Sequence, residues 1–530
     1  DQNCHPLWDT IPKLAALARH GWQGVHCVED IDVAFSRQGA RPGESGLALL
    51  TERYYRGGHS DWGAALFAHD FLGRLPVDIR VLEPYTGRTT AALARLLETT
   101  IDALYERWSP SDNWQLVGSS YADDPRWHRL IGDVSLAEAG PHLMTLFRHA
   151  REDLLERFPE AAVQARLGSW FDAQESFAAG RIAAAPSAPL SELYRSWLQD
   201  ALGGACRLAL TSERFGLARL AGGDPLLRLF LERYDDAGAA YNQALRESGV
   251  GMSPLRLSEG ELPFFVTCRR DGRLVRAAAA LQDGALVAGD RRWALAGGAL
   301  PVEAMERDGV VALAGKALLL VLQARLGAEP AALALPHQGS LYMPAAHAFE
   351  RLLRAGGLLT APAQPVLRVR FRFFEHWRGL ATRVRLPPYL AHSLGLAEGS
   401  ADSVAEAISA GIAAARRDLE SLRQPAGREA FWRERTGALA AERDGLEGER
   451  RRLAADPQRR AEASLLWQRI KDIDRRQAEE QAEWILSRLR ILDVDYYDSR
   501  GALLPWCLAL GGEGLCERLL DQADVTPEHA

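Results

Sequence analysis

The sequence predicts an α/β protein: a Rossmann-like doubly wound body, a small β-meander inserted into it, and a long C-terminal antiparallel coiled-coil hairpin. Short apolar runs alternate with helical patterns three times within residues 1–400, and such alternation favours a mostly parallel sheet covered by helices on both faces. Two Asp-Gly dipeptides separate short apolar segments near the middle of the chain, as tight antiparallel turns require. Beyond Ser400 the composition narrows to Ala, Arg, Glu and Leu over long stretches broken by one Asp-Pro pair.

The first strand-helix passage covers residues 77–117. Val77-Asp78-Ile79-Arg80-Val81-Leu82 alternates as a strand does, and a turn with Gly87 follows. Leu93, Leu96, Leu97, Ile101, Leu104 and Trp108 then keep helical spacing over 89–108, and 114–117 reads as a second strand. The second passage runs from a helix at 190–202 through a strand at 207–210 to a helix beginning near Asp224. The third has a helix at 310–326, a strand at 331–335, a helix at 344–355 and a strand at 366–373. Between the second and third, segments 262–268, 274–281, 285–288 and 293–295 surround Asp271-Gly272 and Asp283-Gly284 and predict the meander.

Helical patterns over 404–422 and 428–455 stop at Ala455-Asp456-Pro457 and resume over 458–492. Asp as N-cap and Pro just inside the new helix mark the tip of a hairpin, with arms of roughly 30 residues, or about 45 Å. Leu446, Leu453, Leu465, Leu466, Ile470, Ile473, Ile485 and Leu489 form the expected seam. The expected units are therefore an α/β body over 1–250, the meander over 251–300, a second part of the body over 301–400, the hairpin over 401–492 and a return segment over 493–530. That return segment holds Tyr496, Tyr497, Pro505 and Trp506 and is expected to pack on the body.

A chain of 530 residues can bury a sizeable core without disulfides or structural metals. Its formal charge of -7 disfavours a nucleic-acid partner, since phosphate binding relies on clustered Lys and Arg. Six scattered cysteines form no C-x-x-C pair and no zinc-finger spacing. No apolar stretch reaches 18 uninterrupted residues, and the first ten lack a basic region followed by an apolar one. The expectation is a cytoplasmic protein with reduced thiols and no membrane partner. Only Lys13, Lys316 and Lys471 are lysines; Lys316 lies in an apolar run, where it is either a desolvated amine or a helix lysine reaching solvent.

Three tracts carry candidate chemistry. Tyr54-Tyr55-Arg56-Gly57-Gly58-His59-Ser60-Asp61 precedes an amphipathic helix pattern. Gly57, Gly58 and the helix start suit a carboxylate or phosphate held by Arg56, with Ser60 beside it; the same residues also suit a plain turn and cap. Thr86 and Arg88 lie in a turn expected after a strand, where α/β sheets bind ligands, although neither the G-x-G-x-x-G nor the Walker pattern occurs there. Pro336-His337-Gln338-Gly339-Ser340-Leu341-Tyr342 again follows a strand and precedes a helix. No G-x-S-x-G elbow supports a hydrolase there, so His337 is as well suited to orienting a substrate as to acting as a base. His59 and Asp61, joined by His69, Asp70, His128 or Asp133, have the residue types of a metal site without a spacing that shows convergence.

The order of parts resembles the family of the cysteine-adding enzyme of bacillithiol biosynthesis. Arg207-Leu208-Ala209-Leu210 through Gly223-Asp224-Pro225 resembles that family's strand and G-D-P-type helix start. The tract from Pro336 to Tyr342, with Gly339, resembles its Gly-rich loop ending in Tyr, and Gly57-Gly58-His59-Ser60 looks like a degenerate form of its Gly-Gly loop. The resemblance implies a ligase-like enzyme that forms an amide between an amino acid, such as cysteine, and the amine of a small acceptor, with ATP or ADP as the nucleotide of a pocket near the hairpin base. His59-Ser60-Asp61 departs from the family pattern. In this reading His59, Asp61 and His337 are catalytic, while Arg56, Gly57, Gly58, Ser60, Thr86, Arg88, Gly339, Ser340 and Tyr342 bind substrate. No metal is assigned. The alternatives are a scaffold that dimerises through the coiled coil and a metal-dependent hydrolase built on His59 and Asp61.

Overall fold

The computed structural model describes residues 2–3, 7–31, 33–35, 48–50, 72, 77–109, 115–117, 129–221, 223–326, 330–337, 340, 342–497 and 503–529. The fold is mixed α/β. Parallel pairing joins β1 (Gln2–Asn3), β2 (Gly24–Val28) and β3 (Cys206–Leu210) in that spatial order, with His26 opposite Leu208. Parallel neighbours need a long crossover, and helices Leu136–Glu156, Ala161–Ala184 and Leu190–Leu202 lie within the one between β2 and β3.

The second sheet is antiparallel and contains the expected meander: β4 (Glu261–Arg270), β5 (Arg273–Gln282), β6 (Ala285–Ala288) and β7 (Arg291–Ala294). Both Asp-Gly turns have the two positive φ angles of a type I′ hairpin, 50° and 79° at Asp271-Gly272 and 46° and 68° at Asp283-Gly284. A Cβ at position 284 would meet no atom within 4 Å, so the positive φ of 68° is what opposes a side chain there. Gly284→Ala should therefore cost about 1 kcal/mol in a urea titration, a purely conformational loss.

A fifth strand, β8 (Val310–Gly315), pairs with β4 at the sheet edge. This corrects the single helix expected over 310–326. The β-branched Val310 and Val311 open a strand, Gly315 ends it, and helix α1 (Ala317–Leu326) begins only after Lys316.

The third sheet holds the other parallel pair, β9 (Leu333–Pro336) and β10 (Val366–Arg370), joined through helix α2 (Met343–Ala355) in a βαβ unit. The strand β11 (Asp524–Glu528) runs antiparallel along β10, so the return segment packs on the body as a sheet edge. Among the described residues the parallel pairs lie in two separate three-stranded sheets.

The passage over 77–117 is not a strand-helix-strand unit. Ile79–Leu82 is a 3-10 turn running into helix Glu83–Thr86. The alternation that suggests a strand is overridden locally: the Asp78 carboxylate accepts from the Arg80 backbone N–H at 3.0 Å and from the Tyr105 hydroxyl at 2.8 Å, which bends the chain. The helix expected over 89–108 divides into Thr90–Leu96 and Ile101–Trp108, with Thr100 capping the second. Gln115–Val117 pairs antiparallel with Ala48–Leu50 instead of extending a parallel sheet.

Helices α3 (Ala401–Arg423), α4 (Pro425–Ala454) and α5 (Arg460–Tyr497) are the longest run of helix. Asp456 accepts from the Gln458 N–H at the break between α4 and α5, as the Asp-Pro pair predicts. Leu446 packs with Ile470 and Ile473, the Arg443 guanidinium donates to Asp474 at 2.7 Å, and Trp432 meets Trp484 with ring centroids 5.5 Å apart. These contacts progress in opposite directions along the two helices. Leu446, Leu453, Ile470, Ile473 and Ile485 are buried as expected, whereas Leu465 is 68% exposed and so does not belong to the seam. Towards the base, Ile485, Leu486 and Trp432 share a cluster with Ile79, Leu82, Leu93 and Trp108, which fixes the 77–108 segment against the long helices. Short helices α6 (Leu503–Gly511) and α7 (Glu513–Asp521) lead from α5 to β11.

Candidate functional site

Ligands of open α/β sheets bind beyond the carboxyl ends of parallel strands, and the described residues hold two such places. At the first, β2 is followed by the buried Glu29 and Asp30, and β3 by Thr211 and Ser212. The Asp30 carboxylate accepts from the Ser212 N–H at 2.9 Å and from its hydroxyl, and the Thr211 hydroxyl donates to the Val28 carbonyl. Burial pushes the Asp30 carboxyl above the usual carboxylate range, against the opposing pull of the Ser212 bonds. Here the polar groups are spent on one another, and they stitch two strand ends together.

The second place, beyond β9 and β10, is built differently. The His337 N–H donates to the Val369 carbonyl at 2.9 Å, which keeps the loop on β10 for one residue past the strand, and the His337 side chain is exposed. Ser340 then adopts φ 63°, and Arg372, just past the end of β10, adopts φ 50°. A non-glycine residue in the left-handed region costs on the order of 1 kcal/mol. Two such residues at neighbouring strand ends therefore mark positions whose backbone is held by its surroundings. The Ser340 Oγ is shielded from solvent and has no hydrogen-bond partner among the described residues. Tyr342, 40% exposed, stands at the start of α2, where no side chain caps the helix and Pro344 occupies the first turn. The Met343 N–H donates to the Ser340 carbonyl at 3.4 Å and Pro344 has no N–H, so the start of α2 carries its partial positive charge with no side-chain cap among the described residues.

Behind this loop lies a charged cluster that joins all three elements. The His347 Nε2 of α2 is 2.7 Å from the Glu528 Oε1 of β11, and the Arg368 Nε of β10 donates to the Glu528 Oε2 at 2.5 Å. Arg368 also donates to the Pro336 carbonyl at 3.3 Å. Although burial works against it, hydrogen bonds from Arg368 and His347 hold the Glu528 carboxyl below its ordinary range. His347 Nδ1 is buried without a hydrogen-bond partner among the described residues. At the strand end, the Arg372 Nε donates to Asp524 at 2.6 Å. An imidazole oriented by a carboxylate that a guanidinium clamps is an arrangement able to move a proton or to hold an anion.

The other expected site residues fall elsewhere. Thr86 is buried and donates its hydroxyl to the Leu82 carbonyl at 2.9 Å; the Arg88 Nη1 donates to Gln481 of α5 at 3.3 Å. Their turn follows a 3-10 turn, not the strand expected before it, and it packs in the cluster of the long helices, while α2 and β9 belong to the body clusters. Arg56, Gly57, Gly58, His59, Ser60, Asp61 and Gly339 lie outside the described residues. Lys316 forms an ion pair with Glu261 at 2.7 Å, and its ammonium lies 5.4 Å from the centre of the Phe265 ring.

Sequence reasoning passed over His347, Arg368, Arg372 and Glu528. The alternation Arg368-Val369-Arg370-Phe371-Arg372 is a basic stripe at strand period and was open to being read. Nothing in the sequence links it to a glutamate about 160 positions away. Among the described residues no group of three or more His, Cys, Asp or Glu is placed to hold a metal ion, and no helix is long and apolar enough to cross a membrane. The chain matches no protein-family model and no curated protein.

Proposed function

We propose that the chain is a small-molecule enzyme of ligase-like character, which joins an amino acid such as cysteine to the amine of a small acceptor and docks an anionic group of a substrate at the loop from His337 to Tyr342. The observation that carries this reading is Ser340, with φ 63° and a shielded hydroxyl that has no partner among the described residues, beside a start of α2 that no side chain caps. A carboxylate or phosphate placed there would accept from the Ser340 hydroxyl and lie at the positive end of α2. His337 and Tyr342, both exposed, would position the acceptor. Amide formation further needs an anion-holding pocket, a base for the amine and exclusion of water; Arg56, Gly57, Gly58, Ser60, His59 and Asp61 are the proposed source of the first two, Gly339 is a further proposed substrate-binding residue, and ATP or ADP is the proposed nucleotide. In this reading the two parallel pairs belong to a Rossmann-like doubly wound body, and α4 with α5 forms the coiled-coil hairpin.

The test is a thermal-shift panel of cysteine, other amino acids, ATP, ADP, amino sugars and inorganic phosphate. A ligand at 100 times its Kd adds about 2.7 kcal/mol, which for a protein of this size is a shift of a couple of degrees. Ser340→Ala should abolish most of that shift while leaving the unliganded midpoint within about 1 °C. A flat panel, or a shift that survives in the variant, argues against the site.

A second reading is a scaffold that dimerises through the long helices. It is favoured by Leu465 and Trp467 of α5, which are 68% and 43% exposed. Light scattering distinguishes it: the wild-type chain should be a dimer and Leu465→Glu with Trp467→Glu a monomer, whereas a monomeric wild type removes this reading.

A further inference from the structure

Strand β11 reads Asp524-Val525-Thr526-Pro527-Glu528, so its two carboxylates, four positions apart, share one face; on β10 the arginines 368, 370 and 372 share one face at spacing two. In the antiparallel pair Asp524 stands opposite Arg370 and Thr526 opposite Arg368, which sets the acidic face beside the basic one. The Arg372 Nε donates to the Asp524 Oδ2 at 2.6 Å and the Arg368 Nε to the Glu528 Oε2 at 2.5 Å, while the His347 Nε2 is 2.7 Å from the Glu528 Oε1. This basic row borders the candidate loop, since Arg368 also donates to the Pro336 carbonyl and the His337 N–H to that of Val369.

Little besides these charges and one backbone ladder holds the strand. Among the described residues β11 pairs with β10 alone and forms the edge of its sheet. None of its five residues is buried; Val525 packs partly on the core, and Thr526 and Pro527 are exposed. The helix before it is anchored separately, with Leu515 and Leu519 of α7 buried and Arg19 donating to Asp521 at 2.6 Å and to Glu517. A segment with hydrogen bonds on one side and few buried apolar contacts opens at low free-energy cost, independently of the elements around it.

We propose that β11 is an autoinhibitory strand, whose Asp524 and Glu528 carboxylates occupy on Arg372, Arg368 and His347 the places that an anionic group of a substrate takes when the strand lifts from β10. A guanidinium accepts carboxylate and phosphate in the same forked geometry. Strand and ligand are therefore alternative occupants of one basic row. The inference rests on the reading of the 337–342 loop as an anion-docking site, and adds that docking there competes with the chain's own acidic strand.

The test combines calorimetry and hydrogen exchange on the full chain with inorganic phosphate, and separately with succinate as the carboxylate probe, against sodium chloride at equal ionic strength. In the wild type, saturation with the anion that binds should speed exchange of the β11 amides well beyond what chloride does. The double variant Asp524→Asn with Glu528→Gln should exchange those amides about tenfold faster without any ligand, because its charge-assisted bonds are lost, and should bind the anion about tenfold tighter. Glu517→Gln, which loosens α7 from Arg19 without touching β10, should do neither. An anion that binds while the wild-type β11 amides stay protected overturns the competition and leaves the docking loop standing; a double variant that binds no tighter, or no binding to either protein, overturns it as well. Failure of the ligase reading shows separately, as a panel flat for cysteine and ATP in a protein that still binds phosphate or succinate at this strand.

Discussion

Asp493→Asn should raise the thermal midpoint at pH 8 by a few degrees and leave it unchanged at pH 4. Asp493 lies on α5 between the buried Ile491 and Val494, and burial pushes its carboxyl up to about 7 from 3.8, with Arg490 pulling weakly the other way. Arg490 is itself occupied, donating to the Trp108 carbonyl at 2.9 Å. Because the folded-state pKa lies above the unfolded one, the native protein binds a proton between about pH 4 and pH 7 that the unfolded chain has already released. Stability is therefore fully present below about pH 4 and falls as pH rises through 7, by at most about 1.4 kcal/mol per unit, or roughly 4 kcal/mol in all. The residue keeps some accessible surface, so about 2–4 kcal/mol is the realistic range. Asn carries no titrating group, and the variant should lack this slope. Melting curves of both proteins at pH 4, 6 and 8 decide the matter: curves that stay parallel would show that Asp493 is ionised in the native state.

Glu350→Ala should destabilise the fold by about 3–5 kcal/mol in a urea titration. Glu350 on α2 lies 3.1 Å from the Arg325 guanidinium of α1, with side-chain exposures of 5% and 1%, and a second arginine, Arg354, donates to it at 2.8 Å. Arg325 also donates from Nε to the Gln364 carbonyl at 2.5 Å. Removing the carboxylate leaves a guanidinium in an apolar setting between Leu322, Leu326 and Leu353 on the same helices, all buried. The pair itself is not the source of the stability. A double variant, Arg325→Met with Glu350→Leu, should recover most of the loss, because two apolar side chains of similar volume avoid the desolvation cost of both charges. If Glu350→Ala alone were neutral, the charge must reach solvent by a local opening of α2, the helix that begins at the candidate loop.

Much of the fold was legible because the relevant forces are local. The Asp-Gly pairs specify their own hairpins through φ, Asp456-Pro457 specifies the break between α4 and α5, and the apolar spacing of α2 and the run of β10 announce a helix and a strand. Where the reading failed, a distant partner decided. Val310 to Gly315 fits a helix or a strand by pattern, and pairing with β4 chose the strand. Ile79 to Leu82 alternates like a strand, yet the Asp78 carboxylate and a cluster with α4 and α5 made it a turn. Of the candidate site, the 337–342 loop was visible as a polar stretch between strand and helix. The cluster of His347, Arg368 and Glu528 was not, since its members come from three separate elements.

By itself, then, the sequence determined the strand-helix order over 190–232 and 331–370, the hairpin turns, the long helical run and the absence of any strong catalytic fingerprint, because these depend on residues within one or two turns of each other. Tertiary structure alone decided that Thr86 and Arg88 are used in packing, that Leu465 faces solvent, and that Ser340 is held at φ 63° with its hydroxyl shielded and without a partner among the described residues. The reason is physical: burial, strain and the satisfaction of polar groups are properties of the surroundings of a residue, and those surroundings exist only once segments hundreds of positions apart have packed together.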